Sequence, residues 1–274
     1  MESSMPRIIA PLAALLALTT AAHAQDADGT ALRALGDPVM ATQARGGPAI
    51  GFTLGAGVSS KPEYFGAGDN EAGAALTGEL NYLRLGGYTF GNPDPLFQPQ
   101  GFGVSGSFRY IGERDGSDEL AGLDDVDAAL EIGAGLSYAT PVYEVFGNVR
   151  YGVIGHESFV GEVGADLFAR PNDRLTLSLG PRALFGDDGY AETYFGVAAD
   201  EAAASRYNAF DAGGGLVSTG VEFGASYRLN ETWGVDASVT YDVLRNDAAD
   251  SPITDDDESV SASIGITRRF TLGF

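Results

Sequence analysis

The sequence predicts an all-β protein, a closed antiparallel transmembrane β-barrel of about twelve strands, with ten as the alternative count. Three observations carry this: apolar/polar alternation in runs of about ten residues, an export signal at the N-terminus, and an amphipathic last segment that ends in Phe274. Period two means strand, because successive side chains point to opposite faces. AALEIGAGLSYATPVYEVFGNVRYGV, residues 128–153, shows it best. Leu130, Ile132, Ala134, Leu136 and Tyr138 share one parity, and Glu131, Gly133, Gly135 and Ser137 the other. After the break ATP, Tyr143, Val145, Val149 and Tyr151 alternate with Glu144, Phe146, Asn148 and Arg150. That break is short enough for a hairpin turn. Alternation alone does not say which face is inside: a soluble sandwich buries its apolar face, whereas an outer-membrane barrel turns it to lipid.

The N-terminus favours the barrel. Residues 1–24 combine Arg7, the apolar run IIAPLAALLALTTAA and the A-x-A site Ala22-His23-Ala24, a secretory signal peptide cut after Ala24. No later apolar run is long enough for a transmembrane helix. There is no cysteine, which excludes thiolate metal sites and thiol catalysis. A net charge of −22 argues against binding nucleic acid through a phosphate-neutralising patch. It suits solvated extracellular loops, with divalent cations bridging them to lipopolysaccharide as a hypothesis. The 39 glycines lie mainly on the polar parity, as a crowded barrel interior requires.

Residues 25–48 lack periodicity and read as a flexible periplasmic segment; residues 49–274 read as the barrel. Strand runs are expected near 49–59, 72–82, 85–91, 101–111, 128–138 and 142–153. Six more follow near 159–169, 175–185, 190–197, 214–229, 233–244 and 259–270. Tyr82, Phe102, Tyr110, Tyr138, Tyr143, Tyr151, Phe159, Phe185, Tyr227, Trp233 and Tyr241 fall at strand ends on the outward parity, as interfacial girdles require. In the last run Val260, Ala262, Ile264, Ile266 and Phe270 are outward, but Arg268 shares their parity. Either it snorkels at the periplasmic rim or a bulge turns it inward.

Several segments resemble the MipA/OmpV family, the MltA-interacting proteins of Gram-negative outer membranes. They are YFGVAADEAAAS (194–205), GGGL (213–216), YRLNETWGV (227–235), SPI (251–253), ITRRF (266–270) and GERDGSDELAGLDDVD (112–127). The chain departs from the family where TLGF extends past Phe270 and where Arg268 replaces the usual aromatic. The resemblance implies a twelve-stranded barrel of the cell outer membrane. It also implies a non-enzymatic scaffold joining a lytic transglycosylase to a penicillin-binding protein; a surface adhesin or antigen is an alternative. A monomer is expected. The family brings no catalytic residues.

The residues themselves offer little chemistry. His156 and Ser158 in GHES are two apart, which does not define a nucleophile–base pair. GFGVSG (101–106) matches a dinucleotide fingerprint by letters but lies inside an alternating strand. DDDE (255–258) lacks the glycine and spacing of a calcium loop. No catalytic, cofactor or metal site is expected. The inward parity carries Glu79, Glu131, Glu144, Glu162, Asp166, Glu222, Asp236 and Asp242 against Arg109, Arg150, Arg182 and Arg228. Mixed signs fit cross-strand ion pairs that close the lumen. A small-solute channel is the other reading, and its acidic wall should prefer cations.

Overall fold

The computed structural model describes residues 47–85, 88–91, 100–116 and 118–274, so the signal peptide and nearly all of the 25–48 segment lie outside the described residues. Eleven strands form one antiparallel sheet. They are β1 (Ala49–Pro62), β2 (Asn70–Leu85), β3 (Tyr88–Gly91), β4 (Gly101–Ile111), β5 (Ala129–Ala139), β6 (Tyr143–Ile154), β7 (Phe159–Asn172), β8 (Leu175–Gly186), β9 (Gly215–Arg228), β10 (Trp233–Leu244) and β11 (Glu258–Gly273). Their order is β3-β2-β1-β11-β10-β9-β8-β7-β6-β5-β4. Sequential hairpins make every step except β1–β11, which pairs the first strand with the last from Ala49↔Gly273 to Ser60↔Ala262. That contact curls the sheet into barrel form and sets the start of β1 and the end of β11 at one rim, where Phe274 N–H donates to Pro48 O at 2.9 Å.

The expected twelve strands become eleven among the described residues because residues 190–197 are not a strand. They fall largely in helix α1 (Asp188–Phe195). Asp187 caps it, accepting from Tyr190 N–H, and Tyr190, Ala191, Tyr194 and Phe195 bury one helical face. An odd number of alternating strands leaves two edges, β3 and β4, that run the same way. No antiparallel ladder can join them, and none does among the described residues. Near this seam a cleft of about 670 Å³ separates Ala74 and Leu76 of β2 from Tyr110 of β4.

Elsewhere the alternation is as the sequence dictates. Ile132, Leu136, Val145, Val149, Leu167, Val221 and Ile264 are exposed, whereas Glu131, Asn148, Arg150 and Glu162 are buried. Leu130, beside a register shift, is only half-buried. Exposed aromatics collect at two levels. Phe102, Tyr138, Tyr143, Tyr227 and Trp233 mark the end with short turns, and Tyr110, Tyr151, Phe159, Phe185 and Tyr241 the end with long loops. An apolar wall between two girdles is the signature of an outer-membrane protein, and bacterial barrels keep their short turns in the periplasm.

Two rim residues depart from simple parity. Tyr82 is not outward but 4% exposed, because the register slips between Gly51 and Phe52 and its face turns inward. Arg268 stays outward with no bulge, opposite Leu54 and Trp233. Its guanidinium lies over the Trp233 and Phe270 rings, 5.1 and 4.9 Å from their centroids, so it is held in the girdle. Close strand approach explains a lumen glycine at Gly57, where a Cβ would collide with the backbone of Ile264 and Gly265. Val149, 60% exposed at mid-wall, is the test position: Val149→Arg should lower refolding stability in bilayers by about 2–4 kcal/mol. Urea titration of the heat-modifiable gel band reads this, and Arg268→Leu should change it far less.

Candidate functional site in the lumen

The long loops turn inward and plug one end of the barrel. Their backbone lacks ladder partners, so carboxylates accept its N–H groups. Asp125 takes Gly116, Glu201 takes Asp124 and Ala198, Glu192 takes Ala212, Asp188 takes Gly214, and Asp247 takes Gly213, all at 2.7–2.9 Å. Part of the chain's excess acid is therefore structural. Helices α1, α2 (Ala199–Ala204) and α3 (Asp247–Asp250) ride on these loops. Ser251 Oγ donates to Phe195 O at 2.6 Å, tying the loop after α3 to α1. Tyr190, Tyr194 and Phe195 pack with Ile111, Val160, Leu184, Val217 and Leu244 from the strand ends. Within DDDE, the Asp255 and Asp256 amides donate to Gly66 O, and Asp256 accepts from Glu258 N–H. Among the described residues no cluster of metal-ligating side chains gathers there or elsewhere.

Beneath the plug lies the charged layer that the inward parity implied. Arg150, 1% exposed, donates from Nε to Glu131 Oε2 at 2.8 Å and from Nη1 to Glu162 Oε2 at 2.7 Å. Arg150 Nη1 also reaches Ser107 Oγ at 3.2 Å. Arg109 stands 3.9 Å from the other Glu131 oxygen. Arg182 bridges Asp166 at 2.9 Å and Glu222 at 3.0 Å, with its guanidinium over Phe146. Register brings these groups together: Glu162 pairs with Asn148 one step from Arg150, and Gly133 lies opposite Arg150 with a backbone too close for any Cβ.

His156 joins this layer rather than a catalytic pair. Its Nδ1 accepts from Ser158 N–H at 3.2 Å, and its Nε2 lies 3.3 Å from Glu131 Oε1. Ser158 Oγ donates to His156 O, not to the ring, so it is not primed as a nucleophile. GFGVSG is part of β4, with Phe102 and Val104 facing outward. Asp236 and Asp242 sit on the inner wall, Arg228 lies at the turn end, and Glu144 is buried inside. The Glu79 side chain is outside the described residues. Toward the short-turn end the lumen widens into a cavity of about 270 Å³ lined by Thr53, Thr77, Ser178, Ser226, Ser238 and Thr267, with Asp166, Glu222 and Asp236.

The residues that the sequence did not single out are the plug aromatics. His156 meets Tyr190 and Tyr194 edge-on at 5.2 and 5.7 Å, joining plug to charge layer. Burial pushes the Tyr190 phenol up to about 12, with Glu131 adding to the rise against Arg109 and Arg150. Tyr194 shifts in the same direction, again chiefly by burial.

Two expectations follow. Arg150→Ala leaves Glu131 and Glu162 enclosed without their shared counter-charge and should cost about 3–5 kcal/mol in refolding titrations, far more than Arg268→Ala at the rim. Tyr190 is neutral in both states below pH about 10. Between there and about 12 only the unfolded phenol ionises, so plug stability is lost as pH rises through that window. Tyrosinate absorbance should show a late fraction that Tyr190→Phe diminishes.

A family model described as MltA-interacting protein MipA matches residues 54–270. The MltA-interacting protein of Escherichia coli K12 is 28% identical over 167 residues, 59% of this chain; the alignment spans 65% of that relative, less than two thirds of its length. Among solved structures, an outer membrane channel from Pseudomonas putida F1 aligns over 85% of this chain and 99% of its own, at 11% identity and a TM-score of 0.41. The translocator domain of autotransporter NalP from Neisseria meningitidis aligns over 83% and 90%, at 13% identity and 0.40. The family model covers well over half of the sequence, and the chain belongs to the MipA family of MltA-interacting proteins.

Proposed function

We propose that this outer-membrane barrel is a non-enzymatic scaffold that docks murein-remodelling enzymes from the periplasmic side. Its partners would be a lytic transglycosylase and a penicillin-binding protein, and the barrel itself a monomer seated among outer-membrane lipid and lipopolysaccharide. The family match over residues 54–270 carries this reading, since the relative is named for its interaction with MltA. The lumen supports it from the other side. The Ser158 hydroxyl is turned from His156, and ion pairs and plug aromatics occupy the long-loop end. That leaves the rim, turns and outer wall as surfaces for work. A small cation-preferring channel is the second reading, and the acid-flanked cavity at the turn end favours it.

Purified protein in mild detergent should retain a purified lytic transglycosylase from the same envelope, with cross-linking to trap a weak complex. Co-elution and a cross-linked band are expected. Failure of both would overturn the scaffold reading.

A further inference from the structure

Charge is segregated between the two ends of the barrel. The long-loop end is acidic, with Asp115, Asp124, Asp200, Asp255 and Asp257 exposed. The short-turn end is a collar of arginines: Arg84, Arg170, Arg174, Arg228, Arg268 and Arg269. Among the described residues the exposed acids at that end are Asp173 and Glu231 in the turns; Glu144 and its cross-strand partner Asp166 are buried inside, and Glu79 lies opposite Thr53 in the register.

The direction in which these arginines face identifies what they meet. Directly paired residues of adjacent strands share a face. Arg269 pairs with Thr53, and Thr53 lines the lumen cavity. Arg228 pairs with Gly234, which itself pairs with cavity-lining Thr267. Arg84 pairs with buried Ala49, and Arg170 lies over the ring of Phe168, another cavity residue, 4.9 Å from its centroid. Four arginines thus ring the mouth from within, and only Arg268 is committed to the lipid side. Arg84 donates to Gly47 O and Arg170 to Pro141 O, both neutral carbonyls that orient a guanidinium without cancelling its charge.

We propose that this collar is the docking face for an acidic protein surface in the periplasm. The proposal rests on the scaffold reading and names the chemistry of its partner. Phospholipid headgroups are the weaker match, because they flank the outer wall while most of the collar faces the mouth. The partner stays at the rim: the cavity just inside sets Asp166, Glu222 and Asp236 against the single Arg182, and that acidic excess disfavours an entering acidic segment.

The test uses full-length mature protein in nanodiscs of zwitterionic lipid. The variant Arg84→Gln/Arg170→Gln/Arg174→Gln/Arg228→Gln removes four charges but keeps amide donors for the turn carbonyls; heat-modifiable mobility verifies its fold. Two probes are titrated, poly-L-glutamate and the purified transglycosylase. The proposal expects both to bind wild type in a salt-sensitive manner and to bind the variant at least about tenfold more weakly. Transglycosylase binding unchanged by the variant overturns the collar and leaves the scaffold standing. Collar-dependent binding of poly-L-glutamate with no transglycosylase association overturns the scaffold and leaves the acidic-surface preference. Binding of neither overturns both. Variant effects seen only in phosphatidylglycerol nanodiscs, with poly-L-glutamate unaffected, assign the collar to lipid and overturn the proposal.

Discussion

Arg150 is held inside the barrel between Glu131 and Glu162, and the closed end of the lumen depends on that pairing. Enclosed charge is costly unless it is paired and hydrogen-bonded. Each carboxylate therefore fixes its strand against the next: Glu131 on β5, Arg150 on β6, Glu162 on β7. A one-residue slip of β6 would send Arg150 to the lipid face and Val149 inward, so the pair also specifies register. His156 extends the layer to the plug through Tyr190 and Tyr194, whose rings pack on it edge-on. Stability of the wall and closure of the lumen are thus parts of one network.

The acidity of the chain has two origins. Inside, carboxylates match arginines; in the loops they accept backbone N–H groups that have no strand to pair with. Arginine is used at both ends of its range, buried as a counter-ion in the charge layer and stacked on rings or carbonyls at the turn end. The result is a barrel polarised along its axis, acidic at the loops and basic at the turns.

Much of this was legible in the residues. The parity of Glu131, Arg150, Glu162, Asp166, Arg182 and Glu222 placed them on one inner face, and ion pairing followed from mixed sign on an enclosed inner surface. Arg268 could not be settled from parity alone, since its stacking on Trp233 and Phe270 depends on the register of β10 and β11. Tyr82 was misplaced because the slip opposite Gly51 leaves no mark in local composition. Residues 190–197 were misread because tyrosines, Phe195 and Val197 favour strands. The signal for helix was present in the capping Asp187 and in the four-residue spacing of Tyr190 and Tyr194. The arginine collar was hidden because its members come from four strands and a turn far apart in sequence.

Conductance tests the closed lumen most directly. In planar bilayers the intact protein should pass no steady current. Arg150→Ala combined with removal of residues 188–204, which span α1 and α2, should open a pore whose reversal potential in a salt gradient favours cations. Steady conductance by the unmodified protein would contradict the account, because it would mean that the plug and its ion pairs do not seal the barrel.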